Sequence, residues 1–159
     1  PTRRSSDLDK NVRASVLYWI VNIRRDASGR DSYWYEGNSD QHRNVSAYTL
    51  AEIVPKRYTL IERIDEGTYI SETYLHTNGV QQMSFIAFSP DSGKDLGLFP
   101  DDRTMIIPVH IKDTEGLLYL SSNESDASAI VWQNHENILF CINGYLTIEE
   151  LFDLSNAID

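Results

Sequence analysis

Cysteine is nearly absent from this chain: Cys141 stands alone among 159 residues. An internal disulfide is therefore excluded, and the place of Cys141 within an apolar run marks a buried, inert thiol rather than a nucleophile. The four histidines, His42, His76, His110 and His135, are scattered, with no metal-ligand spacing to one another or to the cysteine, which argues against zinc. Long apolar runs are missing too. None approaches the ~18 residues that a membrane-spanning helix requires. Positive charge is scarce, with 14 Lys and Arg against 24 Asp and Glu and a net charge of -10. A nucleic-acid partner is accordingly not expected, because phosphate recognition needs a basic face. There is no Gly-x-Ser-x-Gly elbow, no internal repeat and no low-complexity tract. Ser89-Pro90-Asp91-Ser92-Gly93-Lys94-Asp95 lacks the spacing of a P-loop or an EF-hand and reads as a turn. The paired carboxylates Asp101-Asp102 and Glu149-Glu150 fall in a loop and at a helix start. No catalytic, cofactor-binding or metal-ligating residue is assigned, and no cofactor is expected.

What is present is an ordinary soluble composition, 41% hydrophobic and 24% charged. A chain of this length fits one domain and is long enough to bury roughly 70% of its extended surface. Charge is uneven along it. Up to Arg30 there are seven Lys and Arg against three Asp and Glu, and beyond it seven against twenty-one, so a segment of net +4 precedes one of net -14. The plain reading is solvated surface; the sharper one places the basic stretch near anionic headgroups. Because the chain opens at Pro1 rather than at a methionine, an anchor or signal segment upstream is expected.

The clearest architecture lies in residues 128–159. In Ala129-Ile130-Val131-Trp132 and Ile138-Leu139-Phe140-Cys141-Ile142 the apolar residues occupy both alternating sets, which predicts interior strands covered on both faces. Asn134-His135-Glu136-Asn137 joins them as an antiparallel hairpin, and Asn143-Gly144 is expected to release the chain from the sheet. A helix start follows, with Thr147 as N-cap, Glu150 completing a capping box, and Leu146 and Leu151 placed for a hydrophobic staple. Ile148, Leu151, Phe152 and Ile158 recur at helical spacing as its apolar face.

Earlier in the chain, Leu8, Val12, Val16, Trp19 or Ile20, and Ile23 keep three-to-four spacing after Ser6-Asp7, predicting an N-terminal helix up to Arg24-Arg25. Val16 to Val21 is nonetheless rich in strand formers. Residues 26–54 read as a loop-rich connector, in which Tyr33-Trp34-Tyr35 stands out among polar neighbours. These three aromatics form either a ligand-stacking platform for a sugar or other flat molecule, or a strand or lid that places Trp34 in the core. Burial is the more frequent role of large aromatics. After Pro55, strands are expected at 58–64, 68–77 and 80–88, with turns at Asp65-Glu66-Gly67 and Asn78-Gly79. A long excursion over 89–102 leads to strands at 105–111 and 117–120, with a turn at Asp113-Thr114-Glu115-Gly116 between them. The expectation is one α+β domain over 1–159: a curved antiparallel sheet of about seven strands, with an N-terminal helix (1–25) and a C-terminal helix packed on it.

Val54-Pro55-Lys56-Arg57-Tyr58-Thr59-Leu60-Ile61, then Ile130-Val131-Trp132, an aromatic second strand ending Ile142-Asn143-Gly144, and Leu146-Thr147-Ile148-Glu149-Glu150-Leu151 with Ala157-Ile158, together resemble the bacterial family called domain of unknown function 4367. The resemblance covers roughly residues 55–159. Family members commonly carry a glycine where this chain has Arg57. What the resemblance implies is the extracytoplasmic part of a membrane-anchored protein, in some members following a segment similar to an anti-sigma factor, with no catalytic residue to carry over. The expected function is a non-catalytic sensing or binding module for an envelope ligand or protein, tethered upstream of Pro1, with Tyr33, Trp34 and Tyr35 as candidate contacts. The alternatives are a cell-envelope hydrolase built on His110 and carboxylates of the 89–102 excursion, and a structural spacer.

Overall fold

The structure is a computed structural model of the chain, and it describes residues 22–25, 30–34, 42–98, 100, 103–123 and 126–158. Its centre is a seven-stranded, wholly antiparallel sheet built from β3 (Tyr58–Asp65), β4 (Tyr69–His76), β5 (Gln82–Phe88), β7 (Thr104–Ile111), β8 (Thr114–Ser121), β9 (Ser128–Gln133) and β10 (Leu139–Gly144). The strand order is β3-β4-β5-β10-β9-β8-β7. Two consecutive meanders therefore meet in the middle, where β10 returns to pair with β5 from Leu139↔Phe88 to Gly144↔Met83. The closing hairpin is interior, as its apolar pattern requires: all six residues of β9 and five of the six in β10 are buried.

Alternation divides the inward side chains between two faces. One face carries Tyr58, Ile70, Tyr74, Phe85, Ile130, Trp132, Phe140 and Ile142, and onto it pack Val45 and Leu50 from the connector and Leu151, Leu154 and Ile158 from the C-terminal helix. That helix, α1 (Ile148–Ala157), begins with the expected capping box: the Glu150 N–H donates to Thr147 Oγ1 at 3.1 Å, and the Thr147 N–H donates to Glu150 Oε1 at 2.9 Å. Its buried side is rotated from the expected one. Leu154 and Ser155 join Leu151 inside, whereas Ile148 is exposed and Phe152 half-buried, because 151, 154, 155 and 158 form the tighter helical stripe. The opposite face carries Phe88, Leu117, Tyr119, Val131, Leu139 and Cys141.

Two further findings depart from the sequence reading. The expected N-terminal helix is not seen: Asn22–Arg25, its last turn, is strand β1, paired antiparallel with β2 (Asp31–Trp34). Residues 1–21 lie outside the described residues. An available extended partner overrides a weak helical period, and this segment's neighbourhood is rich in strand formers. The 89–102 excursion contains β6 (Asp95–Leu98), which joins β1 and β2 in a three-stranded sheet and sends Leu96 and Leu98 into the second face of the large sheet. Sheet packs on sheet there, and helix and connector pack on the other side. Asn143-Gly144 does not release the chain; both residues stay paired, and a Cβ at Gly144 would stand 2.4 Å from Met83 Cβ.

Candidate functional site

A polar cluster in the interior surrounds Glu72. With Ile70 and Tyr74 on the helix-bearing face, alternation puts Glu72 there too, and it is wholly buried. Its carboxylate accepts from the Leu50 N–H (2.9 Å), Thr49 Oγ1 (2.7 Å), Tyr74 OH (2.7 Å) and Arg63 Nη1 (2.6 Å). Burial pushes this carboxyl upward, but the four hydrogen bonds outweigh it and hold it below the ordinary carboxylate range. Arg63 also donates to the carbonyls of Tyr48 and Ser46. The cluster is a latch that fixes the connector to the sheet. A second tie joins Arg57 to Glu150 through two hydrogen bonds of 2.6 and 2.7 Å, while Tyr58 OH donates to the Tyr145 carbonyl at 2.9 Å. The hydrogen bond from Arg57 is the main reason the Glu150 carboxyl falls to about 2.

The meander places the β7–β8 and β9–β10 turns at one end of the sheet, and the C-terminus of α1 reaches the same end. The Lys112 N–H donates to Asn156 Oδ1 at 3.1 Å, and Lys112 Nζ to the Ile158 carbonyl at 3.0 Å. Between these elements lies a cleft of about 320 Å³. Its apolar wall is Tyr48, Ile111, Trp132, Phe140 and Ile158. Trp132 stacks on Phe140 with ring centroids 5.1 Å apart, and Tyr48 meets Phe140 edge-on at 5.0 Å. Trp132 and Phe140 are 3% and 1% exposed, so they form a closed floor, and half-buried Tyr48 is the ring a ligand would meet first. Along the rim stand Lys112, Asp113, Asn134, His135 and Glu136. His135 Nε2 lies 3.0 Å from Asp113 Oδ2, across the two turns. This hydrogen bond, first among several causes, holds the Asp113 carboxyl below its usual range. A smaller cavity of about 210 Å³ lies on the other side of the molecule, lined by Gly97, Leu98, Pro100, Thr104 and Tyr119 among others.

Of the residues singled out by sequence, Tyr33 and Trp34 fall in β2, at register positions opposite Ile23 and Asn22; Tyr35 lies outside the described residues. His110 is exposed on β7 opposite Glu115, and it lines neither cavity. His42, Asp91 and Ser89 do converge. In that cluster Asp91 lies between the other two, accepting from Ser89 Oγ at 2.6 Å and lying 2.8 Å from His42 Nδ1. A Ser-His-Asp relay needs the imidazole between hydroxyl and carboxylate, so this arrangement does not activate the serine. Cys141 is buried, and burial pushes its thiol up to about 12, which keeps it protonated. Among the described residues no group of three or more His, Cys, Asp or Glu is placed to hold a metal ion, and no helix is long and apolar enough to cross a membrane. The cleft residues were missed as a site because each signalled only its own strand or turn. Two polar turns, each followed by an apolar strand, were the available hint. No protein family, curated protein or solved structure matches the chain.

Proposed function

We propose that this chain is a non-catalytic binding or sensing domain, and that its ligand enters the cleft between the β7–β8 and β9–β10 turns. The carrying observation is the cleft itself: an apolar floor beneath a few convergent polar groups is the usual form of a small-ligand site. The resemblance to domain of unknown function 4367 supports placing the domain on the extracytoplasmic face of a bacterial membrane, tethered upstream of Pro1 and reporting to an envelope or anti-sigma-type partner. A cell-envelope hydrolase built on His110 has less support, since that side chain is exposed on an edge strand and the 89–102 segment is used to cover the sheet through Leu96 and Leu98. A mere spacer would have no use for the cleft.

Protease shaving of intact cells expressing the full-length protein tests the placement. Removal of the domain while cytoplasmic markers survive is the expected result. Protection until lysis would overturn the outward-facing assignment and return an intracellular partner-binding role to the front.

A further inference from the structure

Resting on the reading of the cleft as a ligand site, we infer that its ligand is a small amphipathic cation, an apolar body carrying an ammonium group. The cleft is near the lower limit of small-molecule pockets, at about 320 Å³, and accommodates on the order of ten non-hydrogen atoms. Its inner wall of Tyr48, Ile111 and Ile158 over the Trp132–Phe140 stack carries no charged side chain and suits a ring or short aliphatic chain. Polarity is confined to the rim.

The rim is biased in sign. Asp113 and Glu136 contribute two carboxylates, and Asp113 is held in its ionised form by His135. The one lysine, Lys112, directs its ammonium to the Ile158 carbonyl at the helix end. A ligand cation at the mouth would meet both carboxylates. An anion would meet them as like charges, on a chain whose net charge of -10 already raises the cost of its approach. A neutral hydroxyl donates at most one hydrogen bond there and brings no charge to the carboxylates. Because the Asp113 and His135 side chains are 77% and 73% exposed, the charge contribution is that of a solvated pair, about three- to fivefold in affinity, and added salt weakens it.

Titration of the protein with 2-phenylethylamine, 2-phenylethanol and 3-phenylpropionate, followed by ¹H–¹⁵N NMR, tests the inference. The amine is expected to move the amide signals of Lys112, Asp113, His135 and Glu136, with an affinity about three- to fivefold above the alcohol, and the acid to move none. In the D113N/E136Q variant, whose changes lie in exposed turns, the amine and alcohol should bind alike. Equal binding of alcohol or acid in the wild-type cleft, an amine preference unchanged in the variant, or amine shifts scattered over the acidic surface would each overturn the cationic assignment. In the first of these cases the cleft still stands as a ligand site. If no probe moves the cleft signals, the cleft reading falls together with the inference.

Discussion

Replacement of Glu72 by Gln changes one buried atom type and almost no volume, so any loss of stability is electrostatic. Every group around this carboxylate is a donor: the Leu50 N–H and Tyr74 OH meet Oε1, while Thr49 Oγ1 and Arg63 Nη1 meet Oε2. An amide must turn its own NH2 toward one of those pairs, whichever way it is flipped. An orphaned buried donor costs about 1–3 kcal/mol, and breaking a buried ion pair on one side costs about 3–5 kcal/mol. Arg63 retains some exposure and two carbonyl acceptors, Tyr48 and Ser46, which places the expected loss near the lower end, about 3 kcal/mol. For a chain of this size that corresponds to a fall in Tm of about 6–12 °C. Urea unfolding at pH 7, run for wild type, E72Q, R63M and the double variant, measures the loss and the coupling between the two positions. The double variant should remain less stable than wild type, because Leu50 and Tyr74 also depend on the carboxylate. A loss below about 0.5 kcal/mol in E72Q, or strict additivity with R63M, would refute the latch.

The tie at the other end of the sheet is readable by acid. The Glu150 carboxyl falls from 4.5 to about 2 on folding, so its stabilisation is complete above pH 4.5 and is lost as the pH falls toward 2; E150Q should be less stable at pH 7 and show a shallower loss across that window in urea titrations. Gly144→Ala inserts a Cβ 2.4 Å from Met83 Cβ and 2.7 Å from its Cα, between the central strands β5 and β10. The expected destabilisation exceeds the ~1–3 kcal/mol of ordinary overpacking, and a melting temperature within a few degrees of wild type would contradict the strand order. Cys141 should resist a thiol reagent such as dithionitrobenzoate in the native state at pH 8 and react at once in denaturant; rapid native labelling would place it elsewhere than the sheet interior.

How far the sequence revealed this arrangement depends on the range over which each signal acts. The strands of the large sheet, the Asn78-Gly79 turn (Gly79 φ 73°) and the capping box are local, and each appears within about three residues of its expected place. The alternation of Ile70, Glu72 and Tyr74 was also local, and it already placed a carboxylate on an apolar face; the partners that make it tolerable, Leu50, Thr49 and Arg63, are 9 to 23 residues away. Strand β6 escaped notice because four residues, Asp95 to Leu98, hold only two apolar side chains, and what makes them a strand is pairing with β2 more than sixty residues earlier. The β1 segment carried a helical period that lost to a nearer partner, the hairpin with β2 6 to 12 residues on.

The cleft belongs wholly to the long-range category. Both of its turns were legible as turns, but that they share an end of the sheet follows only from the order β9-β8-β7, and that Tyr48 stands over them follows from the Glu72 latch, which holds the neighbouring Thr49 and Leu50. Among its described residues the connector brings Val45 and Leu50 as fully buried apolar anchors. Burial of two side chains is a weak hold on a segment of this length, and the hydrogen bonds to Glu72 and from Arg63 add to it. Loss of the latch should therefore be felt in the cleft before the sheet unfolds: in E72Q, Tyr48 and the amides near it should exchange hydrogen faster, while β9 and β10 keep their protection. Equal protection of both regions in the variant would separate the latch from the site.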